Sequence, residues 1–158
     1  MAENCLRLTR RLKASPGQIW RCWTEAELLK KWFTPKPVET TEAEVDPIPG
    51  GRFRTVIKIP GETPIKGDAG CILVAQPARR LVWTNALGPD YRPNLIKDAP
   101  MDFAFTADIR MEPDGRGCLY LATVTHARET HMKAHEDMGF HQGWGQATEQ
   151  LEALAATL

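Results

Sequence analysis

The feature that most constrains this chain lies near its C-terminal end. From about residue 131 to 157, Trp144, Ala147, Leu151, Leu154 and Leu158 recur every three or four residues. That spacing puts them in one stripe on an α-helix. A continuous helix over this stretch would be about 40 Å long at 1.5 Å per residue, comparable to a whole small domain. The stripe must be buried against something, and the rest of the chain determines what is available.

Most of the remainder has period two. Residues 4–13 alternate, with Leu6, Leu8 and Leu12 on one parity and Arg7, Thr9 and Arg11 on the other, the pattern of a half-buried strand. Further strands are predicted near 38–46, 52–59, 66–76, 80–87, 101–111 and 117–126. Turn signals stand at Pro49-Gly50-Gly51 and Pro113-Asp114-Gly115. In the segment 101–111, Met101, Phe103, Phe105, Ala107, Ile109 and Met111 share a face, and Asp102, Thr106, Asp108 and Arg110 the other. Residues 88–100, with Gly88, Pro89, Pro93 and Pro100, read as a long loop.

Two short helices follow the first strand. Ser15-Pro16-Gly17-Gln18 carries a capping-box signature, and Thr24-Glu25-Ala26-Glu27 repeats the device. The second helix should bury Leu28, Leu29, Trp32 and Phe33 and stop at Thr34-Pro35 and Pro37. The predicted fold is α+β: a curved antiparallel sheet gripping the long C-terminal helix, with two short helices after the first strand.

The chain has 158 residues, 42% hydrophobic and 25% charged. It is the length of one domain, large enough to bury a core without a disulfide or metal staple. Lys+Arg and Asp+Glu both number 20, which argues against a dedicated nucleic-acid binder. No apolar run spans a bilayer and residues 1–13 carry no secretory h-region, so a cytoplasmic protein is expected. Cys5, Cys22, Cys71 and Cys118 are scattered, without C-x-x-C spacing, and read as small hydrophobes.

Chemical motifs are sparse. Ser15 is the one serine, and the helix cap accounts for it. There is no nucleophile elbow, P-loop or dinucleotide fingerprint, and no cofactor is implied. His131 and His135 stand at i and i+4, a spacing that can supply half a zinc site, but no H-E-x-x-H motif or helix cysteine completes the set. His141, between Phe140 and Trp144, is the candidate base or orienting group, set against an ordinary hydrogen-bonded core histidine. Gly139, Gly143 and Gly145 inside the predicted helix each cost about 1 kcal/mol relative to Ala. Either close packing or room for a ligand beside Met138 and Trp144 would offset that.

The aromatics are the strongest signal. Trp32, Phe33, Phe53, Trp83, Phe103, Phe105 and Trp144 come from every major element. With Met138 and His141 they form the expected lining of an internal cavity. Three of the five tryptophans, Trp20, Trp23 and Trp32, fall in the short helices expected to cover its mouth.

Several motifs then combine. They are Leu8-Thr9-Arg10, Ala14-Ser15-Pro16, Trp20-Arg21-Cys22-Trp23-Thr24, Leu28-Leu29-Lys30-Lys31-Trp32-Phe33-Thr34-Pro35, Pro49-Gly50-Gly51-Arg52-Phe53, Arg80-Leu81-Val82-Trp83-Thr84, Met138-Gly139-Phe140 and Gly143-Trp144. In this order the chain resembles single-domain START-like (SRPBCC, helix-grip) proteins similar to the activator of the heat-shock-protein-90 ATPase. The resemblance implies a sheet of about seven strands gripping the C-terminal helix around a cavity. It carries over no catalytic residue. The co-chaperone that names the family has a further N-terminal domain that engages the chaperone, a pattern this chain departs from.

Three functions follow as expectations: a binding protein for a small hydrophobic molecule, a cyclase- or hydrolase-like enzyme acting on a bound aromatic or polyketide compound, or a co-chaperone-like interaction module, as monomer or homodimer. The third draws on charge placement. Residues 1–37 carry 8 basic and 3 acidic side chains, and residues 98–158 carry 4 and 10. These blocks either form complementary patches or neutralise one another across the fold.

Overall fold

The computed structural model describes residues 4–96 and 102–158. Pro100 and Met101, the expected end of a loop and start of a strand, lie outside the described residues. Strand β1 (Cys5–Leu12) opens the chain. Its alternation is realised: Leu6, Leu8 and Leu12 are buried, while Arg7, Thr9 and Arg11 face solvent. Helix α1 (Pro16–Thr24) starts on the expected capping box, with Ser15 Oγ accepting from Gln18 N and Gln18 Oε1 accepting from Ser15 N.

Helix α2 (Ala26–Trp32) follows without a second box. Thr24 does not cap it, because its hydroxyl donates back to the Trp20 carbonyl at 2.7 Å. Glu25 pairs instead with Arg21 on the preceding turn. The end of α2 is held from afar, by Gln150 Nε2 donating to the Trp32 and Thr34 carbonyls at 3.0 and 2.8 Å.

The sheet contains β2 (Glu39–Val45), β3 (Arg52–Lys58), β4 (Ile65–Lys66), β5 (Gly70–Gln76), β6 (Arg80–Thr84), and then β9 (Phe105–Asp114) and β10 (Gly117–His126), separated from β6 by the short β7 (Leu87–Gly88) and β8 (Arg92–Pro93). All pairings are antiparallel. The main path runs β1-β10-β9-β6-β5-β3-β2, seven strands, with β4 beside β3. Strands β1 and β2 form opposite edges, so α1 and α2 must cross from one edge to the other. Irregularities at Thr40/Glu42 and Ile72/Val74 bend the strands.

The strand expected at 66–76 is split. The β5 strand pairs with β3 at Arg52 and Phe53, whereas β4 pairs with it further along, at Val56 and Ile57. Residues 67–69 lie between the two pairings. The strand expected from 101 starts later: Asn85 binds Phe103 O and Phe105 N with its side chain, and the ladder proper begins at Phe105. Residues 88–100 are not all loop. The β7–β8 pair closes a small hairpin around a 3-10 turn at Pro89–Tyr91. At the Pro49-Gly50-Gly51 turn, a Cβ on Gly51 would run into the Asp46 carbonyl, which is why that position excludes a side chain.

The largest departure concerns the long helix. It is two helices, α3 (Glu129–Asp137) and α4 (Phe140–Ala155). Gly139 breaks them with a left-handed backbone, φ 93°, the conformation that stops a helix at low cost only for glycine. The apolar stripe belongs to α4. Leu151 and Ala147 are buried, Trp144 and Leu154 partly so, and Leu158 lies past the helix end, 37% exposed. This helix packs on α1, α2 and β1, tied to β1's end by Lys13 N donating to Glu152 Oε2 at 2.7 Å. No helix among the described residues is long and apolar enough to cross a membrane.

Candidate functional site

Between α4, the short helices and the sheet there is a cavity of ≈ 420 Å³. Its position follows from the topology. The gap in the β3 pairings leaves Thr55, Ile57, Ile65 and Asp68 along one side, and α4 presents Gly143 and Trp144 on the other.

The wall is mainly aromatic. Phe53 and Trp83 stack at 4.3 Å with an 18° tilt. Phe33 meets Phe53 edge-on at 5.9 Å, Trp23 meets Trp32 edge-on at 4.9 Å, and Phe105 meets Trp83 edge-on at 5.4 Å. Such arrangements let rigid rings hold an open space, because each ring is fixed by its neighbours.

Most polar groups on this wall are already engaged. Trp23 Nε1 donates to the Tyr120 hydroxyl at 3.0 Å, and Trp32 Nε1 to the Cys22 carbonyl at 2.9 Å. Thr148 donates to the Trp144 carbonyl at 2.7 Å, and Asn85 holds backbone groups of Phe103 and Phe105. Arg54 lies 3.4 Å from Glu44 and 3.6 Å from Glu42. The indole nitrogen of Trp83 is an exception, buried without a partner. Burial raises the Tyr120 hydroxyl above the ordinary tyrosine range, so it stays protonated.

The structure brings Trp32, Phe33, Phe53, Trp83, Phe105 and Trp144 to the cavity. It does not bring Phe103, Met138 or His141 there. Phe103 is buried beneath histidine rings, stacked on His131 at 5.7 Å and tilted against His135 at 5.2 Å. Met138 caps α3 and is 49% exposed. The His141 side chain is half exposed, with Nε2 3.5 Å from Glu136. The break at Gly139 leaves Met138 at the end of α3, on a different helix from Trp144, while His141 shares α4 with Trp144 and pairs with Glu136 instead of reaching the wall. Trp20 packs against the core without reaching the wall.

Trp23, expected over the cavity mouth, lines the wall itself, and Tyr120 and His135 join it without having been expected there. Tyr120 was detectable, because Cys118, Tyr120, Ala122 and Val124 occupy one buried parity of β10. His135, expected as half a metal pair with His131, is engaged with another histidine: its Nδ1 lies 2.8 Å from His126 Nε2. Among the described residues, no group of three or more His, Cys, Asp or Glu side chains is placed to hold a metal. Burial first, then the neighbouring His126, pushes His135 down to about 4. Burial likewise lowers His126, against the opposing pull of the Asn4 carbonyl. Both rings are therefore neutral at pH 7.

A family model described as Activator of Hsp90 ATPase homolog 1-like protein matches residues 13–156. A crystal structure from Nitrosomonas europaea is 40% identical, covering 99% of this chain and 97% of that one, with a TM-score of 0.91. A Rhodobacter sphaeroides structure is 22% identical, with coverages of 99% and 95% and a TM-score of 0.81. The AHSA1 protein of Silicibacter pomeroyi is 18% identical, with coverages of 97% and 98% and a TM-score of 0.69. The last two show likeness of fold. No curated protein matches the chain.

Proposed function

The chain belongs to the Activator of Hsp90 ATPase homolog 1-like family, and from its cavity we propose that it binds a small hydrophobic, mainly aromatic molecule. One observation carries this reading: a space of ≈ 420 Å³ walled by stacked and edge-on rings, with most of its polar groups already engaged. Pockets of roughly 300–1,000 Å³ with apolar walls and few polar groups are the usual design of small-molecule sites. A core that only needed to be solid would be close-packed, with few voids larger than a water. Burying apolar ligand surface there contributes about 25 cal/mol per Å² before the costs of association.

Thermal unfolding in the presence of a series of uncharged aromatic compounds tests the reading. A ligand that binds only the folded protein stabilises it by about 2.7 kcal/mol at a hundredfold excess over Kd. A saturable rise in Tm with at least one member of the series is expected. No shift with any member, at concentrations up to their solubility, would count against it.

A further inference from the structure

The buried His126 and the half-buried His135 define a hydrogen-bond relay whose direction follows from the backbone. His126 Nδ1 lies 3.0 Å from the Asn4 carbonyl oxygen. A carbonyl can only accept, so Nδ1 carries the hydrogen. The neutral ring then has a bare lone pair on Nε2. That atom is 2.8 Å from His135 Nδ1, which must therefore be the donor. Neutral His135 is left with its lone pair on Nε2. Asn4 O also accepts from the His126 backbone N–H at 2.9 Å, so the start of the relay is pinned where β1 meets β10.

The end of the relay lies in an apolar setting. The His135 ring packs against Phe103 at 5.2 Å, Phe105 at 5.7 Å and Phe140 at 5.2 Å, and the residue forms part of the cavity wall.

We propose that His135 Nε2 is the hydrogen-bond acceptor of the cavity, and that the ligand is an uncharged aromatic molecule bearing a hydroxyl or N–H donor, such as a phenol. The inference rests on the ligand-binding reading above and narrows it. A carboxylate is disfavoured, because it would meet a lone pair rather than a hydrogen. His126 acts through His135 as a positioning residue, since it holds the tautomer that leaves Nε2 bare.

The test compares 2-naphthol, 2-methoxynaphthalene and naphthalene, titrated by quenching of tryptophan fluorescence. A net hydrogen bond is typically about 1 kcal/mol, so wild-type protein should favour naphthol over both controls by roughly 5- to 10-fold. His135→Phe should reduce that preference to near unity while still binding naphthalene. Equal wild-type affinities for naphthol and the controls would overturn the acceptor and leave the cavity reading standing. If none of the three binds, both fall. Long-range nitrogen–proton NMR spectra of the unliganded wild-type protein give a check independent of any variant's folding. His135 is expected as the Nδ1–H tautomer, and finding Nε2–H would overturn the relay.

Discussion

The three glycines near the start of α4 should respond to alanine in opposite directions. Gly143 lies inside the helix, where glycine is disfavoured by about 0.8–1.0 kcal/mol relative to Ala. A Cβ built there would meet Pro35 Cγ at 3.7 Å, ordinary van der Waals contact. No close packing therefore requires this glycine, and the position forms part of the cavity wall. Gly143→Ala should stabilise the free protein by about 1 kcal/mol, a rise of about 2–4 °C in Tm for a chain of this size. Gly145→Ala should act similarly, since its Cβ would meet the mobile end of Arg10 at 3.5 Å. Gly139→Ala should do the reverse. Its φ of 93° is left-handed, where an L-residue costs roughly 1–2 kcal/mol. Urea denaturation of the three variants, read as shifts in midpoint at constant m, provides the assay. Loss of stability in Gly143→Ala would refute the reasoning, because it would mean that protein atoms occupy the space assigned to the cavity.

Further outcomes follow from individual groups. His135 is held to about 4 in the folded protein, against about 6.5 when unfolded. The unfolded chain thus binds the extra proton first, and stability should fall as the pH drops from 6.5 towards 4, by up to about 3 kcal/mol. In His135→Phe a flatter stability–pH curve over that window is expected, and an unchanged curve would contradict it. Tyr120→Phe strands the buried Trp23 N–H, so a loss of about 1–3 kcal/mol is expected in chemical denaturation; a loss below about 0.5 kcal/mol would show that the indole has another partner. Cys22, Cys71 and Cys118 are buried, and burial raises Cys22 and Cys118 to about 11. A thiol reagent should therefore label Cys5 alone in the native protein and all four thiols in denaturant, and rapid native labelling of a second thiol would contradict that.

What could be read in advance was the local and the periodic. The capping box at Ser15 and Gln18 is a four-residue device, complete within itself, and it forms as expected. The alternation of β1 and of residues 103–111 correctly assigned faces because a strand's parity survives any tertiary arrangement. The helix break was misread because apolar positions resume beyond Gly139 and hide the change of phase. That error displaced Met138 from the site, whereas His141, on α4 with Trp144, lies off the wall beside Glu136. Phe103 had the right parity but lies where α3 folds over it, beneath His131 and His135. The His126–His135 bond joins β10 to α3. No local pattern encodes it, since both its short distance and its tautomer depend on how the chain turns after His126. The split of β4 from β5 is likewise a matter of pairing rather than of propensity, and it is this split that opens the sheet side of the cavity.

The central claim, an aromatic-walled cavity that takes up a small apolar molecule, is tested most directly by a crystal structure of the protein grown with a bromonaphthalene. Anomalous scattering locates the bromine independently of how the surrounding side chains are built. The account predicts one bromine site inside the cavity, between the Phe53–Trp83 stack and Gly143 of α4. A bromine found on the outer surface, with the cavity closed by inward-turned rings, would contradict it.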